Sequence, residues 1–155
     1  MRFLLIDRIT SWEVEAGRGS AVKNVALSED FFDDHFPLKP IMPGALLLEG
    51  LAQLGGLLLE EGLRKRSGRN AKALLSIVEK AKFRRPARPG DSLEYRAEVV
   101  AVSEAGGKVA AEARAGEERI ADCTLVFSFH DIHLPRLEAS RARVLALWLR
   151  DLPGR

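Results

Sequence analysis

Residues 35–53 read HFPLKPIMPGALLLEGLAQ, a Pro-rich loop that runs into a long apolar helix. Its Leu- and Ala-rich part predicts a helix from Ala45 to about Lys65, and the basic residues at its end suit the C-terminal end of the helix dipole. Glu49 is the only acid in the quoted stretch. A carboxylate among apolar residues is costly unless it is protonated or paired. Glu49 therefore needs a compensating group, and His35 is the first candidate, as its partner or as its co-worker on a substrate.

Glu49, His35 and Gly44 together suggest chemistry rather than packing alone. Glu49, Gln53 and Gly56 have the i, i+4, i+7 spacing of one helix face, although a structural Glu49 bonded to Gln53 or to loop amides explains that spacing equally well. Gly44 lies at the predicted helix N-terminus, where unpaired amides favour negative charge on an oxygen, but it can also be a simple turn. A lone loop histidine is more often solvated or capping than catalytic. Together, base, acid and donor predict proton abstraction next to a carbonyl, coupled to protonation of a leaving group.

The composition is typical of one globular domain. The chain has 155 residues, is 46% hydrophobic and 30% charged, and carries a formal net charge of +2, which favours neither disorder nor nucleic-acid binding. Cys123 is the only cysteine, which excludes an intrachain disulfide and fits a reducing cytoplasm. The apolar stretch 3–6 is too short for a signal peptide, and Glu49 and Gln53 interrupt the apolar segment 41–59. We expect a buried soluble helix, a cytoplasmic location and no membrane insertion.

The remaining pattern predicts a sheet wrapped around this helix. Two early strands are predicted at residues 2–8 and 20–27, with an irregular loop over 28–39. Four later strands are predicted as an antiparallel meander, at 73–84, 91–103, 107–116 and 119–130. A helix that is apolar nearly all round requires cover on most sides. The expected fold class is therefore α+β, with one domain over 1–130 and an amphipathic C-terminal helical extension over 131–155.

The quoted stretch closely resembles the HFPGxPIMPGxLxxEAxAQ motif of FabZ-type (3R)-3-hydroxyacyl-acyl-carrier-protein dehydratases, with the same His-to-Glu separation. The segments FLLIDRIT, AVKNVALSEDFFDDHFP and KAKFRRPARPGDSLEYRAEV resemble the same family, so the resemblance spans about residues 3–129. It implies the hotdog fold, an antiparallel sheet around a central helix. It also implies a homodimer formed edge to edge or a trimer of dimers, an acyl-carrier-protein substrate and no cofactor.

The resemblance also implies a role for individual residues. His35 would remove the C2 proton, Glu49 would protonate the departing 3-hydroxyl, and the Gly44 amide would polarise the thioester carbonyl. Gln53 would orient Glu49, and Phe83 and Tyr95 would line or gate the acyl tunnel. In the family, the two catalytic side chains meet across the dimer interface. The chain departs from the pattern at Leu38, where a Gly is usual, and in the tail from His130 onward, which has no counterpart in the family pattern.

Five basic residues in the segment KAKFRRPARPGDSLEYRAEV are candidates for carrier-protein binding. Lys80, Lys82 and Arg84 alternate on a predicted strand, with Arg85 and Arg88 nearby, and a basic rim would attract an acidic carrier. An ordinary solvated strand face is the alternative. His130 and His133 lack a third ligand nearby, so no metal site is expected. Two rival functions remain: a hotdog thioesterase, which would need an activated water, and an inert subunit with a closed tunnel.

Overall fold

Residues 3–153, described here by a computed structural model, form six strands, two α-helices and one short 3-10 helix. The strands are β1 (Arg8–Glu13), β2 (Arg18–Asn24), β3 (Lys72–Phe83), β4 (Ser92–Val102), β5 (Gly106–Ala115) and β6 (Glu118–His130). The helices are α1 (Gly44–Ser67) and α2 (Pro135–Trp148), and the 3-10 helix spans Asp30–Phe32 inside the predicted irregular loop.

The six strands form one antiparallel sheet in the order β1-β2-β4-β5-β6-β3. Helix α1 packs against the sheet, and its residues Leu51, Leu54, Leu58 and Leu63 are buried in the core between them. At Gly50 the helix comes so close to β4 that an added Cβ would lie 2.6 Å from the Tyr95 ring. This contact requires glycine. The predicted α+β hotdog architecture, with a long central helix and an extra C-terminal helix, is confirmed.

Strand β3 forms one edge of the sheet and is unusually apolar on its exposed side. Its 12 residues pair only with β6 among the described strands. Large apolar side chains along β3 are 40–53% exposed, namely Leu74, Leu75, Ile77, Val78 and Phe83. Two β-bulges interrupt its register, and Lys80 at the second has a φ of 52°. A long apolar edge strand is a template for pairing with another chain.

The first predicted strand is wrong. The sheet begins at Arg8, and Arg2 lies outside the described residues. The apolar residues Leu5 and Ile6 are buried, yet the Leu5 amide donates to the side-chain oxygen Oε1 of Gln53 in α1, at 3.1 Å, instead of to a neighbouring strand. An apolar run in the sequence predicts burial correctly, but it does not predict which group accepts hydrogen bonds from its amides.

The C-terminal helix and the lone cysteine are both packed into the core. Helix α2 packs Trp148 into the core, and Leu149 just after it is also buried. Cys123 is buried in β6; burial and, secondarily, the neighbouring Asp122 raise the pKa of its thiol to about 11. In residues 3–153, neither helix is both long and apolar enough to cross a membrane.

Candidate active site

His35 is held by backbone groups of its own loop. Its ring nitrogen Nδ1 lies 2.7 Å from the carbonyl oxygen of Ile41, and its amide donates to the carbonyl of Phe31 at 3.0 Å. The Ile41 amide donates back to the His35 carbonyl at 3.0 Å. A carbonyl oxygen only accepts hydrogen bonds, so Nδ1 carries the hydrogen, and in the neutral ring Nε2 is then the nitrogen that can accept a proton.

Leu38, the departure from the family motif, does not strain this loop. Its side chain is 100% exposed at the tip of the loop, where the Lys39 amide donates to the Phe36 carbonyl at 3.0 Å. Within residues 3–153, Lys80 is the one residue other than glycine with a positive φ. Position 38 therefore does not require the conformational freedom of glycine.

Gly44 is the first residue of α1, and no side chain caps this helix end. Its amide has no acceptor in the part of the chain that the structure describes. The Phe83 ring packs close to Gly44, because an added Cβ at Gly44 would be 3.0 Å from Phe83 Cε1. An unpaired amide at a helix N-terminus, beside an apolar ring, can bind an oxygen that gains negative charge.

Glu49 is oriented by Gln53 one turn further along α1. Gln53 Nε2 donates to Glu49 Oε1 at 3.0 Å and to the Phe3 carbonyl at 2.9 Å. Gln53 Oε1 accepts from the Leu5 amide at 3.1 Å. The Gln53 side chain is thus fixed at both ends by the N-terminal segment, and it presents one hydrogen to the Glu49 carboxyl. The predicted orienting contact between these two residues is present.

Glu49 lines a cavity of about 340 Å³ between α1, β3, α2 and the N-terminal segment. Helix α1 contributes Gln53, Gly56 and Leu57 to the same wall, at helical spacing from Glu49. Leu74, Leu75 and Phe127 supply apolar surface from the sheet. One acid on the wall of a largely apolar cavity suits a ligand with a long apolar part and a reacting polar group.

The single chain does not place the predicted site residues together. Among the described residues that line the Glu49 cavity there is none from the His35 loop, nor Gly44 or Phe83. Tyr95 is absent from that lining too: it is 0% exposed beneath Gly50, and burial raises the pKa of its hydroxyl. Its position differs from the expected lining role, because a ring in the layer between sheet and helix contacts α1 rather than the cavity.

Sequence reasoning missed a supporting contact of the His35 loop. Asp91 Oδ2 accepts hydrogen bonds from Arg85 Nη1 and from the Arg88 amide, both at 2.9 Å, which closes the turn between β3 and β4. The Ala87 carbonyl of this turn accepts from the Met42 amide at 2.8 Å, just before α1. Burial alone would raise the pKa of Asp91, but these hydrogen bonds lower it below its ordinary value. The PGD sequence signals the turn, whereas nothing in it signals the contact with Met42.

The predicted basic residues divide into two groups. Arg84 pairs with Asp122, and Arg85 pairs with both Asp91 and Glu118, at 2.9 and 2.8 Å. The side chains of Lys80, Lys82 and Arg88 form no ion pair within the described ranges. Lys80 and Lys82 line the same shallow depression on the outer face of the sheet.

The two C-terminal histidines have separate neighbours. His130 Nε2 lies 3.0 Å from Ser128 Oγ, and His133 Nδ1 lies 3.8 Å from Glu138. Residues 3–153 contain no group of three or more His, Cys, Asp or Glu side chains placed to hold a metal ion.

Solved structures with the same fold come from several proteins of low sequence identity. The dehydratase heterocomplex ApeI:P from Xenorhabdus doucetiae has a TM-score of 0.65 at 12% identity, over 90% of each chain. The uncharacterized protein PH1136 from Pyrococcus horikoshii has a TM-score of 0.64 at 14% identity, over 86% of this chain and 89% of that one. These likenesses establish the fold.

Sequence relatives are much closer. The chain is 43% identical to the 3-hydroxyacyl-[acyl-carrier-protein] dehydratase FabZ of Chlamydia pneumoniae over 130 residues, 83% of this chain and 84% of that protein. It is 45% identical to the FabZ of Chlamydia caviae over 130 residues, 83% of both chains. The family model of the FabA-like domain matches residues 1–127, which include His35, Gly44 and Glu49. The chain therefore belongs to the FabA-like domain family and, as predicted from its motif, to its FabZ-type dehydratase branch.

Proposed function

We propose that the protein dehydrates (3R)-3-hydroxyacyl thioesters carried on an acyl carrier protein to trans-2-enoyl thioesters, in fatty acid or related acyl-chain biosynthesis. Membership of the FabZ-type branch supports the reaction class. The observation on this chain that carries the proposal is the 2.7 Å contact between His35 Nδ1 and the Ile41 carbonyl. This contact leaves Nε2 as the proton acceptor that the reaction needs.

The first half of the reaction removes a proton next to the thioester carbonyl. His35 Nε2 takes the proton from C2, and the electrons of that C–H bond move toward the carbonyl. The oxygen that gains charge accepts a hydrogen bond from the unpaired Gly44 amide at the start of α1. The Phe83 ring lies beside Gly44.

The second half expels the 3-hydroxyl group. Protonated Glu49 gives its proton to the departing oxygen, the C3–O bond breaks, and the C2–C3 double bond forms as water leaves. The hydrogen bond from Gln53 holds Glu49 Oε1, and Glu49 lines the cavity. The apolar surface of the cavity receives the rest of the acyl chain.

Two copies of the chain complete the site in this proposal. Within one chain, neither His35 nor Gly44 lines the cavity that contains Glu49. The apolar edge strand β3 supplies a surface on which a second copy can add its own β3. A homodimer paired there, alone or within a trimer of dimers, would bring the loop of one copy to the cavity of the other. The buried lone thiol of Cys123 fits a cytoplasmic setting.

The carrier protein docks through the basic residues of β3 and the turn after it. We assign this interaction to Lys80, Lys82 and Arg88, whose side chains form no ion pair within residues 3–153, whereas Arg84 and Arg85 are paired with Asp122, Asp91 and Glu118. Replacing Lys80 and Lys82 with Glu should raise KM for a carrier thioester and leave KM for the matching coenzyme A thioester unchanged. An equal rise for both substrates would contradict this assignment.

One assay tests the reaction itself. Purified protein is incubated with 3-hydroxybutyryl and 3-hydroxydecanoyl carrier thioesters, and products are separated by mass. We expect enoyl thioester, lighter than the substrate by one water, from the wild type and none from His35→Ala or Glu49→Gln. Release of free 3-hydroxy acid would instead identify a thioesterase, and no product at either chain length would identify an inert subunit.

A further inference from the structure

One wall of the Glu49 cavity comes from outside the family match. Helix α2 contributes Ser140, Arg141, Val144 and Trp148 to the cavity lining. The match to the FabA-like domain ends at residue 127, and α2 begins at Pro135. The chain thus adds a segment of its own to the cavity in which Glu49 lies.

Helix α2 is fixed against α1 by a shared carboxylate. Arg141 Nη2 donates to Glu60 Oε1 at 2.5 Å, and the same oxygen accepts from the Ala73 amide of β3 at 2.9 Å. Glu60 is only 9% exposed, so removing Arg141 would leave a buried charge without its ionic partner. Arg150 Nη1 adds a 3.2 Å bond to the Asp7 carbonyl near the other end of α2. These contacts make α2 a fixed wall.

The position of this wall along α1 matters for an acyl chain. Glu49, Gln53, Gly56 and Leu57 form the α1 side of the cavity, and Glu60 continues the same helix face. Eleven residues at a rise of about 1.5 Å place Glu60 roughly 16 Å beyond Glu49 along the helix. An alkyl chain that leaves the reacting carbons beside Glu49 and follows this face to Glu60 reaches Arg141, which is bound to Glu60. Val144 and Trp148 belong to the same wall of the cavity.

The volume of the cavity also limits the length of the acyl chain that it can hold. Small-molecule pockets commonly have volumes of about 300–1,000 Å³, and this cavity is near the lower end at about 340 Å³. A methylene pushed against a charged guanidinium gains little, because it would strip water from a polar group without replacing a hydrogen bond.

We propose that α2 is a chain-length stop, which closes the acyl cavity and makes Arg141, Val144 and Trp148 determinants of specificity for shorter 3-hydroxyacyl chains. The inference rests on the proposed dehydratase function and adds the class of acyl chain that the enzyme takes. Val144 is the best residue to probe, because it faces the cavity and has no polar contact that its replacement would break.

The experiment compares kcat/KM for 3-hydroxybutyryl, 3-hydroxydecanoyl and 3-hydroxyhexadecanoyl carrier thioesters. Val144→Ala should raise the hexadecanoyl-to-butyryl ratio by about tenfold or more, and Val144→Phe should lower it by a similar factor, since one methylene in a fitted pocket changes kcat/KM by roughly 10- to 200-fold. Leu147→Ala is the matched control, because Leu147 lies on the exposed side of the same helix and should leave the ratio unchanged.

The outcomes separate this inference from the proposed function. Wild-type turnover with equal ratios in all three variants would overturn the chain-length stop and leave the dehydratase intact. Absence of wild-type turnover on every thioester would overturn both. Thermal unfolding of each variant confirms folding, and if Val144→Phe fails to fold, the ratio for Val144→Ala decides alone.

Discussion

His35 and Glu49 are held in place by different parts of the chain. His35 is bound to Phe31 and Ile41, which are four and six residues away. Glu49 is oriented by Gln53, whose amide group is bound to Phe3 and Leu5, at separations of 50 and 48 residues. The proposed base is thus positioned by a local loop, whereas the proposed acid depends on the tertiary fold. Mutations should therefore affect the two in different ways.

The largest loss of activity should come from replacing either His35 or Glu49, and co-expression of the two variants should restore part of it. His35→Ala and Glu49→Gln should each lose at least about 100-fold in kcat. If the copies pair at random, half of the dimers are mixed and each has one intact site of two, so about a quarter of wild-type activity should return. The measurement is turnover of co-expressed, differently tagged chains.

The control for this experiment is each inactive variant co-expressed with itself, which should stay inactive. An inactive mixture of the two variants, with mixed dimers demonstrated by the tags, would show that both groups act from the same chain. His35 and Glu49 would then have to act together within one copy of the chain.

A smaller effect is expected from Gln53→Ala, which removes the tertiary support of Glu49 alone. We expect kcat to fall about tenfold or more and stability to fall by about 1–3 kcal/mol, because the Leu5 amide loses its acceptor. Stopped assays and urea unfolding measure the two quantities. Arg64→Ala, which removes an exposed ion pair on the same helix, is the control. It should leave kcat unchanged and lower stability by no more than about 1 kcal/mol. Unchanged kcat in Gln53→Ala would show that Glu49 needs no orientation.

The turn at Asp91 gives the His35 loop a long-range support through Met42, and its effect should depend on pH. Asp91→Asn should cost about 1–2 kcal/mol at pH 7, because the ionised carboxylate accepts from Arg85 and from the Arg88 amide. The pKa of Asp91 is lowered by folding, so this stabilisation is present above the unfolded value of 3.8 and is lost as the pH falls through the folded value. Urea unfolding at pH 7 and below pH 4 should show the difference shrinking in acid. A difference that is independent of pH would exclude this role for the charge.

The smallest effect is expected at Leu38, inside the locally held loop. Leu38→Gly restores the residue usual in the motif, yet Leu38 is fully exposed and does not need a positive φ. Activity should stay within about twofold of the wild type, and stability should fall by less than about 1 kcal/mol through added freedom in the unfolded chain. Thermal unfolding and the dehydration assay check both. A large gain in activity would mean that the side chain at position 38 obstructs the site.

The sequence predicts those parts of the molecule that depend on neighbouring residues. The helix around Glu49, the four later strands and the contact from Gln53 to Glu49 all follow from short-range spacing. The predicted strand at residues 2–8 failed, because the Leu5 amide is satisfied by a side chain 48 positions away. The pairing of Arg141 with Glu60, 81 positions apart, likewise has no local signal. Spacing along the chain fixes periodicity and caps, but it does not determine which distant polar group satisfies a buried amide or charge.

The buried thiol of Cys123 has a practical consequence for measuring this arrangement. With a pKa of about 11 and little exposure, it stays protonated at neutral pH and should react slowly with maleimides. A cysteine introduced at the exposed position of Leu38 would then be the single reactive thiol of each copy. Spin labels attached there would report the distance between the two loops of an assembled pair, without first removing the native cysteine.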